Sequence, residues 1–364
     1  MICLLVFAVF VVWLNRVEKT QLVSRKGHTF EKGVVTQILK DNLQPDGSRV
    51  GEQTVKVKML TGERKGRELT TTSASGYLFG AACKVGMKVV VIQSVSGESA
   101  ITSIYSQDRE APIYLFAALY LLVLCLVGGK KGIRAALGLG FTAFCMLLVY
   151  LPLVYRGYSP FWSAVLLCII TTAVTLYLIG GPELKTLVAA AGTITGIITA
   201  GLAATAFSAS TGITGWNVSD IESLLTLWNT NGIQVGGLLF SGLLISSMGA
   251  VMDVAMSISS AMSELCVHNP SITRRELFRA GMNIGRDMLD TDSNMLILAF
   301  AGGSVSTLLL DYAYELPYLQ IINSNNIGIA IMQGLAGSFG VVLSAPATVL
   351  LATLLFRSGK RPGI

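Results

Sequence analysis

The chain has 364 residues, of which 52% are hydrophobic and only 13% are charged. Its mean hydropathy is positive, at +0.64, whereas soluble domains carry about 25% charged residues. This composition excludes an ordinary soluble protein and indicates a protein of the lipid bilayer.

Apolar blocks long enough to cross about 30 Å of hydrocarbon follow one another along the chain. We predict eight transmembrane helices and therefore an α-helical integral membrane bundle. The first block is short, but no small-residue cleavage site follows it, so we expect an uncleaved N-terminal anchor at residues 1–14. The predicted spans cover residues 2–14, 112–129, 135–155, 160–180, 186–209, 233–263, 292–310 and 327–356.

Charge alternates from one predicted loop to the next. Eleven Lys and Arg residues follow spans 2, 4, 6 and 8, whereas the loops after spans 3, 5 and 7 contain one, Arg156. Short cytoplasmic loops retain positive charge. We therefore expect a plasma-membrane protein with both termini in the cytoplasm, and residues 15–111 on the other side.

Residues 15–111 have the pattern of a small β domain. Apolar and polar residues alternate in "GVVTQIL", "QTVKVKML" and "MKVVVIQ", and Gly-containing turns such as "TGERKG" lie between the alternating segments. About five short strands separated by turns are typical of a small barrel. We predict an extracytoplasmic β-barrel of OB or SH3-like type. Its basic cluster, Arg64, Lys65 and Arg67, suits an anionic envelope ligand, or else is a solvated surface that faces anionic lipid.

The sequence gives little support for a cofactor. Cys83 is the only cysteine within 15–111, which excludes a disulfide framework there. His28 and His268 are the only histidines, too few for the usual zinc sites. We expect no cofactor, apart from a bound cation of unknown kind. The expected partner is the lipid bilayer, and no nucleic acid is expected.

One ionisable residue falls well inside a predicted span. Asp253, in "SSMGAVMDVAMSISSAMSEL", lies about 15 Å from the cytoplasmic end of the sixth span. Ser246, Ser257 and Ser260 share its helical face. A carboxylate at that depth costs about 3 kcal/mol and usually faces a cavity or a partner. Asp253 and Ser257 are therefore candidates for binding a cation or proton; alternatively, Asp253 joins helices through hydrogen bonds.

A second polar segment follows Pro270, which cannot continue the preceding helix. Thr273, with Glu276 three residues later, has the form of a capping box. The apolar face and the arginines that follow predict a cytoplasmic interfacial helix at about residues 271–289. Asn283, Asp287, Asp290 and, if the helix continues, Asn294 line up along it at i, i+4, i+7 and i+11, and three of these could share one hard cation. Arg286, Asp287 and Asn294 are further candidates for ion binding.

The stretch "GRDMLDTDSNMLILAF" has the oxygen spacing that opens an EF-hand loop, at Asp290, Asp292 and Asn294. The loop also needs Gly at its sixth position and Glu at its twelfth, where this chain has Met295 and Ala301. An EF-hand is therefore excluded. Asp290 and Asp292 are weak candidates for a metal, and alternatively act as charges or a cap at the start of the seventh span.

Small residues form a third group. They include Gly285, the Gly302–Gly303 pair of the seventh span, "GTITG" in the fifth span and several glycines before Pro346 in the eighth. Such residues usually let membrane helices pack closely. The alternative is that spans 7 and 8 are interrupted helices whose freed backbone groups face a substrate near mid-membrane. In that case Asp253 would look toward Gly302.

At the residues "GAVMDVAMSISS" (249–260) and "GMNIGRDMLDTDSNMLILAFAGGS" (281–304) the chain resembles the YibE/F-like family of bacterial polytopic membrane proteins. The likeness extends to "VKVKMLTGERKG" (55–66). The resemblance implies a multi-span bacterial membrane protein and does not specify an activity. The chain departs from the family pattern at Asp290 and Asp292, where that pattern has no acids. The motif positions point to Asp253, Gly285, Arg286, Asp287, Asn294 and Gly302.

Two functions are consistent with these features. The first is a secondary transporter or channel for a cation or small solute, with Asp253 as its intramembrane site and Arg286 and Asp287 at its cytoplasmic mouth. The second is a non-transporting scaffold, sensor or immunity-type protein whose barrel binds an envelope ligand. An enzyme is not expected, because the chain has no P-loop or HExxH motif and Asp253 and Asp287 are predicted at depths too different for a catalytic pair. The oligomeric state is left open.

Overall fold

The computed structural model describes residues 2–17, 28–74, 79–96, 99–218 and 221–356. The chain forms two compact units. One comprises Lys19–Val123, and the other comprises Met1–Glu18 together with Leu124–Ile364. The first contains a β-barrel and the second is helical.

Five strands form the barrel, as predicted. They are β1 (His28–Lys40), β2 (Gln53–Met59), β3 (Glu68–Ser73), β4 (Lys88–Ser96) and β5 (Ser99–Gln107). The barrel closes in the order β1-β2-β3-β5-β4. β1 pairs antiparallel with both β2 and β4, whereas β3 pairs with β5 in parallel. β1 thus joins the two ends of the sheet, and no strand is left at an open edge.

The alternating sequence pattern of the strands explains the barrel core. Successive residues of a strand point to opposite faces, so Val55 and Val57 of β2 both point inward. There they pack in one buried cluster with Val35 of β1 and Val89 of β4. Lys58, which follows Val57, is exposed. The burial of these apolar side chains stabilises the barrel in water.

Long helices make up the second unit. The chain enters and leaves them through short turns, with a π-helical turn at Met146–Tyr150 and a 3-10 turn at Val235–Gly237. The helices are α1 (Ile2–Asn15), α2 (Glu110–Cys145), α3 (Leu151–Tyr155), α4 (Pro160–Gly180), α5 (Leu184–Thr211), α6 (Ile221–Asn231), α7 (Leu238–His268), α8 (Arg274–Gly303), α9 (Val305–Ala313), α10 (Tyr318–Ile322) and α11 (Asn325–Leu355).

Among the described residues, five helices are long and apolar enough to cross a membrane, and a sixth span results if the bent pair α8 and α9 is counted as one. These helices support a membrane bundle, whereas eight spans stay a prediction. The predicted number of spans and the number found in the structure differ for two reasons. α1 has only 14 residues, and the 46-residue helix Glu110–Tyr155 contains two predicted spans. Gly129 breaks that helix between them, with φ 53° and ψ −132°.

Arg156, the one basic residue in its set of loops, lies against the end of α1. Its guanidinium donates hydrogen bonds to the carbonyl oxygens of Leu14 (3.1 Å) and Trp13 (2.7 Å). It also lies 4.3 Å from the centroid of the Trp13 ring. The last carbonyls of a helix lack partners within the helix and attract cations. Arg156 therefore caps α1 and holds it against the helical unit.

Glycines make the contacts of α5, α7 and α11 close. A Cβ on Gly196 of α5 would lie 2.8 Å from the carbonyl oxygen of Gly340 and 2.8 Å from the Cβ of Ser344, both on α11. Gly192, one turn earlier, faces Thr348 of α11 in the same way. The packing role predicted for the glycines of "GTITG" is confirmed.

α8 is one continuous helix from Arg274 to Gly303. The predicted boundary between a surface helix and a new span near Asp292 is therefore wrong, and Asp292 is not a helix cap. The predicted capping box is confirmed: the Thr273 hydroxyl accepts from the Glu276 N–H at 3.2 Å, and the Glu276 carboxylate accepts from the Thr273 N–H at 2.9 Å. No proline interrupts the helix after this cap, so it continues through its charged half into its apolar half.

The chain bends by 57° between α8 and α9, where Gly302 and Gly303 precede Ser304. No atom lies within 4 Å of the Cβ position of either glycine, so these two permit the bend and do not serve helix packing. The alternative interpretation, that the seventh span is an interrupted helix, agrees with this bend. In contrast, α11 runs from Asn325 to Leu355 without a break and includes Pro346.

Candidate functional site

α7 has one face buried in the bundle and another that is open. The buried face includes Val251, Val254 and Ile258, in a cluster with residues of α5, α8 and α11. The open face carries polar and small residues at spacings of three and four, which a helix places in one line. These residues are exposed, or partly so in the case of Ser260: Ser246, Gly249, Asp253, Ser257, Ser260 and Glu264.

Asp253 on this open face lies within electrostatic reach of Asp292 of α8. Within the described residues, neither carboxylate takes part in an ion pair. Two like charges close together in surroundings of low dielectric are stable only with a counter-charge, such as a proton or a cation. The pair is therefore a candidate binding site for one of these.

The packing of α8 on α7 brings the two carboxylates together. A Cβ on Gly281 would lie 2.6 Å from the sulfur of Met262, and a Cβ on Gly285 would lie 3.4 Å from Cδ1 of Ile258. Gly285 thus lies where α8 contacts α7, and its packing role stays a prediction. Asp292 follows Gly285 by seven residues, about two helical turns. It therefore lies on the same side of α8 and faces α7.

The other predicted site residues of α8 do not join this pair. Arg286, Asp287 and Asn294 are exposed, and no described contact links them to Asp253. Asn294 follows Gly285 by nine residues, about two and a half turns, so it lies on the side of α8 opposite the packed one. The side chain of Asp290 lies outside the described residues.

Asp253 does not look toward Gly302, contrary to what the interrupted-helix alternative supposed. Gly285 is level with Ile258, and Gly302 lies seventeen residues beyond it, about 25 Å along α8. Asp253 is only five residues from Ile258. The expectation failed because it started the helix near Asp292, whereas α8 starts at Arg274.

The bend between α8 and α9 borders an apolar cavity and not a polar site. The cavity has a volume of about 380 Å³. Among the described residues that line it, Ser304 is the one polar residue, and the others are apolar: Ile297, Ala301, Leu308, Ile327, Ala330, Ile331, Gly334 and Leu335. A substrate near the freed backbone at this bend, as the interrupted-helix interpretation supposed, would meet an almost wholly apolar surface.

The donor set near Asp253 suits a small, weakly coordinated ion. Among the described residues, no three acidic, His or Cys side chains come close enough together to hold a metal ion. Calcium takes six to eight oxygen ligands, and magnesium six in strict geometry. Ser257 lies one turn from Asp253. The buried hydroxyl of Ser293, which follows Asp292 in the chain, has no hydrogen-bond partner among the described residues. Two carboxylates with hydroxyls fit a proton or a monovalent cation better.

The sequence spacing places Asp292 on the packed face of α8, provided that residues 274–303 form one continuous helix. Gly281, Gly285, Asp292 and Leu296 are spaced at i, i+4, i+11 and i+15, which is one helical face. Leu296 is buried, and its side chain lies against Gly337 of α11. Dividing the segment into two helices concealed this spacing.

Comparisons with known proteins place the chain in a family. No curated protein and no solved structure matches the chain. The sequence model of the YibE/F-like protein family matches residues 116–358, more than half of the chain. The matched range includes Asp253 and Asp292, whereas the likeness noted at residues 55–66 lies outside it. The chain therefore belongs to the YibE/F-like protein family.

Proposed function

We propose that the protein is a secondary transporter or channel for a cation or small solute, with Asp253 and Asp292 forming its intramembrane binding site. The observation that supports this function is that the two carboxylates lie within electrostatic reach of each other. α7 is long and apolar enough to cross a membrane, and α8 is so when it is counted together with α9 as one bent span. Neither the bilayer nor the described side chains supply a positive partner. A proton or a cation is the species that this pair would hold.

The arrangement also favours exchange of the bound species. Asp253 lies on the open face of α7 beside Gly249, which has nothing within 4 Å of its Cβ position. Hydroxyls at Ser246, Ser257 and Ser260 follow the same line along the helix. A polar line of this kind offers successive hydrogen-bonding positions in an otherwise apolar surface. The species bound at Asp253 would enter and leave along it.

The proposed orientation places both termini in the cytoplasm and the barrel outside the plasma membrane. The asymmetry of Lys and Arg between loops supports it. The contact between Arg156 and the end of α1 is consistent with this orientation, because the orientation assigns both to the outer side of the membrane. Protease protection of the barrel in inside-out vesicles, and its cleavage in intact spheroplasts, would be the expected result.

Flux through purified protein in liposomes tests the proposed site. Proton flux is followed with a trapped pH-sensitive dye, and sodium and rubidium fluxes with radioactive tracers. Asp253→Asn and Asp292→Asn should each lower the flux of the transported ion by at least about tenfold, because each removes one carboxylate of the pair. Asp253→Glu should retain part of the flux.

Glu264→Gln is the matched control. Glu264 lies on the same face of α7, near its cytoplasmic end, and its carboxylate is 3.8 Å from the ring of His268. This substitution should leave the flux unchanged. Full flux in both Asp→Asn variants, with elution profiles like that of the wild type, would sink the proposal and leave Asp253 as a residue that joins helices.

A second candidate function rests on the barrel. Its strand order, with β1 joined to both β2 and β4 and a parallel β3–β5 pair, is that of OB barrels and favours this type over an SH3-like one. OB barrels often bind oligosaccharides or oligonucleotides. The rings of Phe30 and Tyr105 are half exposed and stack edge to face, with centroids 5.2 Å apart. This surface is the feature that favours a sensor or scaffold which binds an envelope ligand.

The two functions differ in what they require. If the barrel carries the activity, Phe30→Ala with Tyr105→Ala should abolish binding of cell-wall fragments, and Asp253→Asn should alter only stability. If the pair of carboxylates is responsible for the activity, a variant without the barrel should still show measurable flux in liposomes. Neither function involves a chemical reaction, and we propose that the protein is not an enzyme.

A further inference from the structure

One face of α8 points away from the helices that pack against it, and this face is polar. Asn283, Asp287 and Asn294 lie along it at i, i+4 and i+11, and Arg286 lies on its flank. All four residues are exposed. The opposite face, with Gly281 and Gly285, packs against α7 and α11. Neither helix therefore covers the polar face.

The exposed residues of α11 show what surrounds α8 at this height. Gly285 of α8 is level with Ala345 of α11, because a Cβ on Gly285 would lie 3.4 Å from that of Ala345. On either side of this level, Leu343 and Leu350 are 44% and 51% exposed. Exposed leucines of a spanning helix face lipid tails, which offer no partner to charged side chains. The polar face of α8 at the same height thus needs a cover of protein.

We propose that a second copy of this chain covers the polar face, with α8 packed against α8 about a twofold axis along the membrane normal. Copies inserted in the same orientation bring residues of equal height together. Arg286 and Asp287 are adjacent, so they lie at nearly the same height but about 100° apart around the helix. In the twofold pair, Arg286 of each copy meets Asp287 of the other.

Charge complementarity favours a second copy over an unrelated protein. The face carries a positive and a negative side chain at the same height. Two copies related by a twofold axis can therefore form two equivalent ion pairs. None of the ion pairs of the described residues involves Arg286 or Asp287, so both groups are available. Asn283 and Asn294 meet their own counterparts, and a carboxamide can both donate to and accept from another carboxamide. Polar residues at such a seam fix its register.

Disulfide cross-linking in native membranes tests the contact. In full-length protein whose six native cysteines are replaced, Asn283→Cys and Asn294→Cys each introduce one thiol on the seam. Oxidation should convert most of each variant to a dimer. Leu350→Cys, at a similar height on the lipid-facing side of α11, is the matched control and should remain monomeric.

Charge exchange tests the pairing itself. Arg286→Asp alone and Asp287→Arg alone should each lower the dimer fraction in detergent by at least about tenfold, because each leaves like charges facing one another. The double variant Arg286→Asp with Asp287→Arg restores opposite charges and should restore the dimer. A misfolded variant would not be rescued in this way, since rescue requires both the fold and the pairing.

Several outcomes would overturn the inference. One is equal cross-linking at Asn283→Cys and Leu350→Cys. Others are cross-links from the seam to a different polypeptide, and full reaction of the seam thiols with a membrane-impermeant maleimide, which would show an aqueous vestibule. The inference goes beyond the proposed transport function, because the polar face needs a cover whether or not an ion is moved. Asp253→Asn should accordingly leave the cross-linking unchanged.

Discussion

The barrel and the helical unit both bury apolar side chains, and the helical unit in addition exposes many large ones. In the barrel, valines and Met59 fill the interior. In the helical unit, hydroxyl residues such as Thr193 and Ser247 are fully buried, whereas Leu202 and Leu298 are 67% and 61% exposed. Water drives apolar residues inward in the barrel. Lipid provides no such drive, so close packing and hydrogen bonds decide which residues lie inside the helical unit.

Two buried polar side chains, one in each unit, are satisfied in different ways. In the barrel, the Gln53 side chain accepts from the Cys83 N–H at 2.8 Å and donates to the Cys83 carbonyl oxygen at 3.1 Å, so it links segments 30 residues apart. In the helical unit, the Thr193 hydroxyl donates to the Ala189 carbonyl oxygen of its own helix at 2.8 Å. Gln53 thus joins distant segments of the barrel, whereas Thr193 is satisfied within its own helix.

The largest loss of stability is expected on substitution of a glycine at which the helices of the bundle pack closely. Gly196→Leu would force α5 away from the backbone of Gly340 and from Ser344, so it should destabilise the protein by about 3 kcal/mol or more. The measurement is the fraction of detergent-solubilised protein that stays monodisperse after heating. Gly140→Leu is the control, because nothing lies within 4 Å of that Cβ position. Equal losses for both variants would contradict a tightly packed centre.

An intermediate effect should separate the two modes of polar burial. Gln53→Leu leaves the N–H and carbonyl of Cys83 without their partners, so we expect a loss of about 2 kcal/mol in the barrel. Thr193→Val, which removes a hydroxyl bonded only within α5, should cost less than about 0.5 kcal/mol. Hydrogen exchange of β2 and of α5 measures the two local stabilities. A larger loss of stability for Thr193→Val than for Gln53→Leu would contradict this prediction.

The smallest effect is expected at the start of α8, where a helix end behaves as in a soluble protein. Thr273→Ala removes the cap of the Glu276 N–H and should cost about 1 kcal/mol, seen as faster hydrogen exchange in the first turn of α8. Ser271→Ala is the control, since that hydroxyl bonds only to the Asn269 side chain. Unchanged exchange in Thr273→Ala would show that packing alone holds this end.

Local patterns were predictable, and contacts across the chain were less so. The barrel strands follow from alternation in segments such as "QTVKVKML", and the cap follows from Thr273 and Glu276, because both depend on residues close in sequence. Asp253 stood out as an acid in an apolar span. The candidates chosen from the sequence in the following segment were Arg286, Asp287 and Asn294, whereas the residue of α8 that the structure brings near Asp253 is Asp292. That choice depended on whether one helix or two cover residues 274–303.

The sequence by itself determined that the chain is a membrane protein with a barrel inserted in it, because composition, length of apolar blocks and strand alternation are properties of short segments. Only the tertiary structure decided which polar residues share a site. Asp253 and Asp292 are brought together by the close approach of α8 at Gly281 and Gly285. The same packing turns Asp287 and Asn294 to the other side of α8, because a helix of about 3.6 residues per turn cannot present all its polar residues to one neighbour.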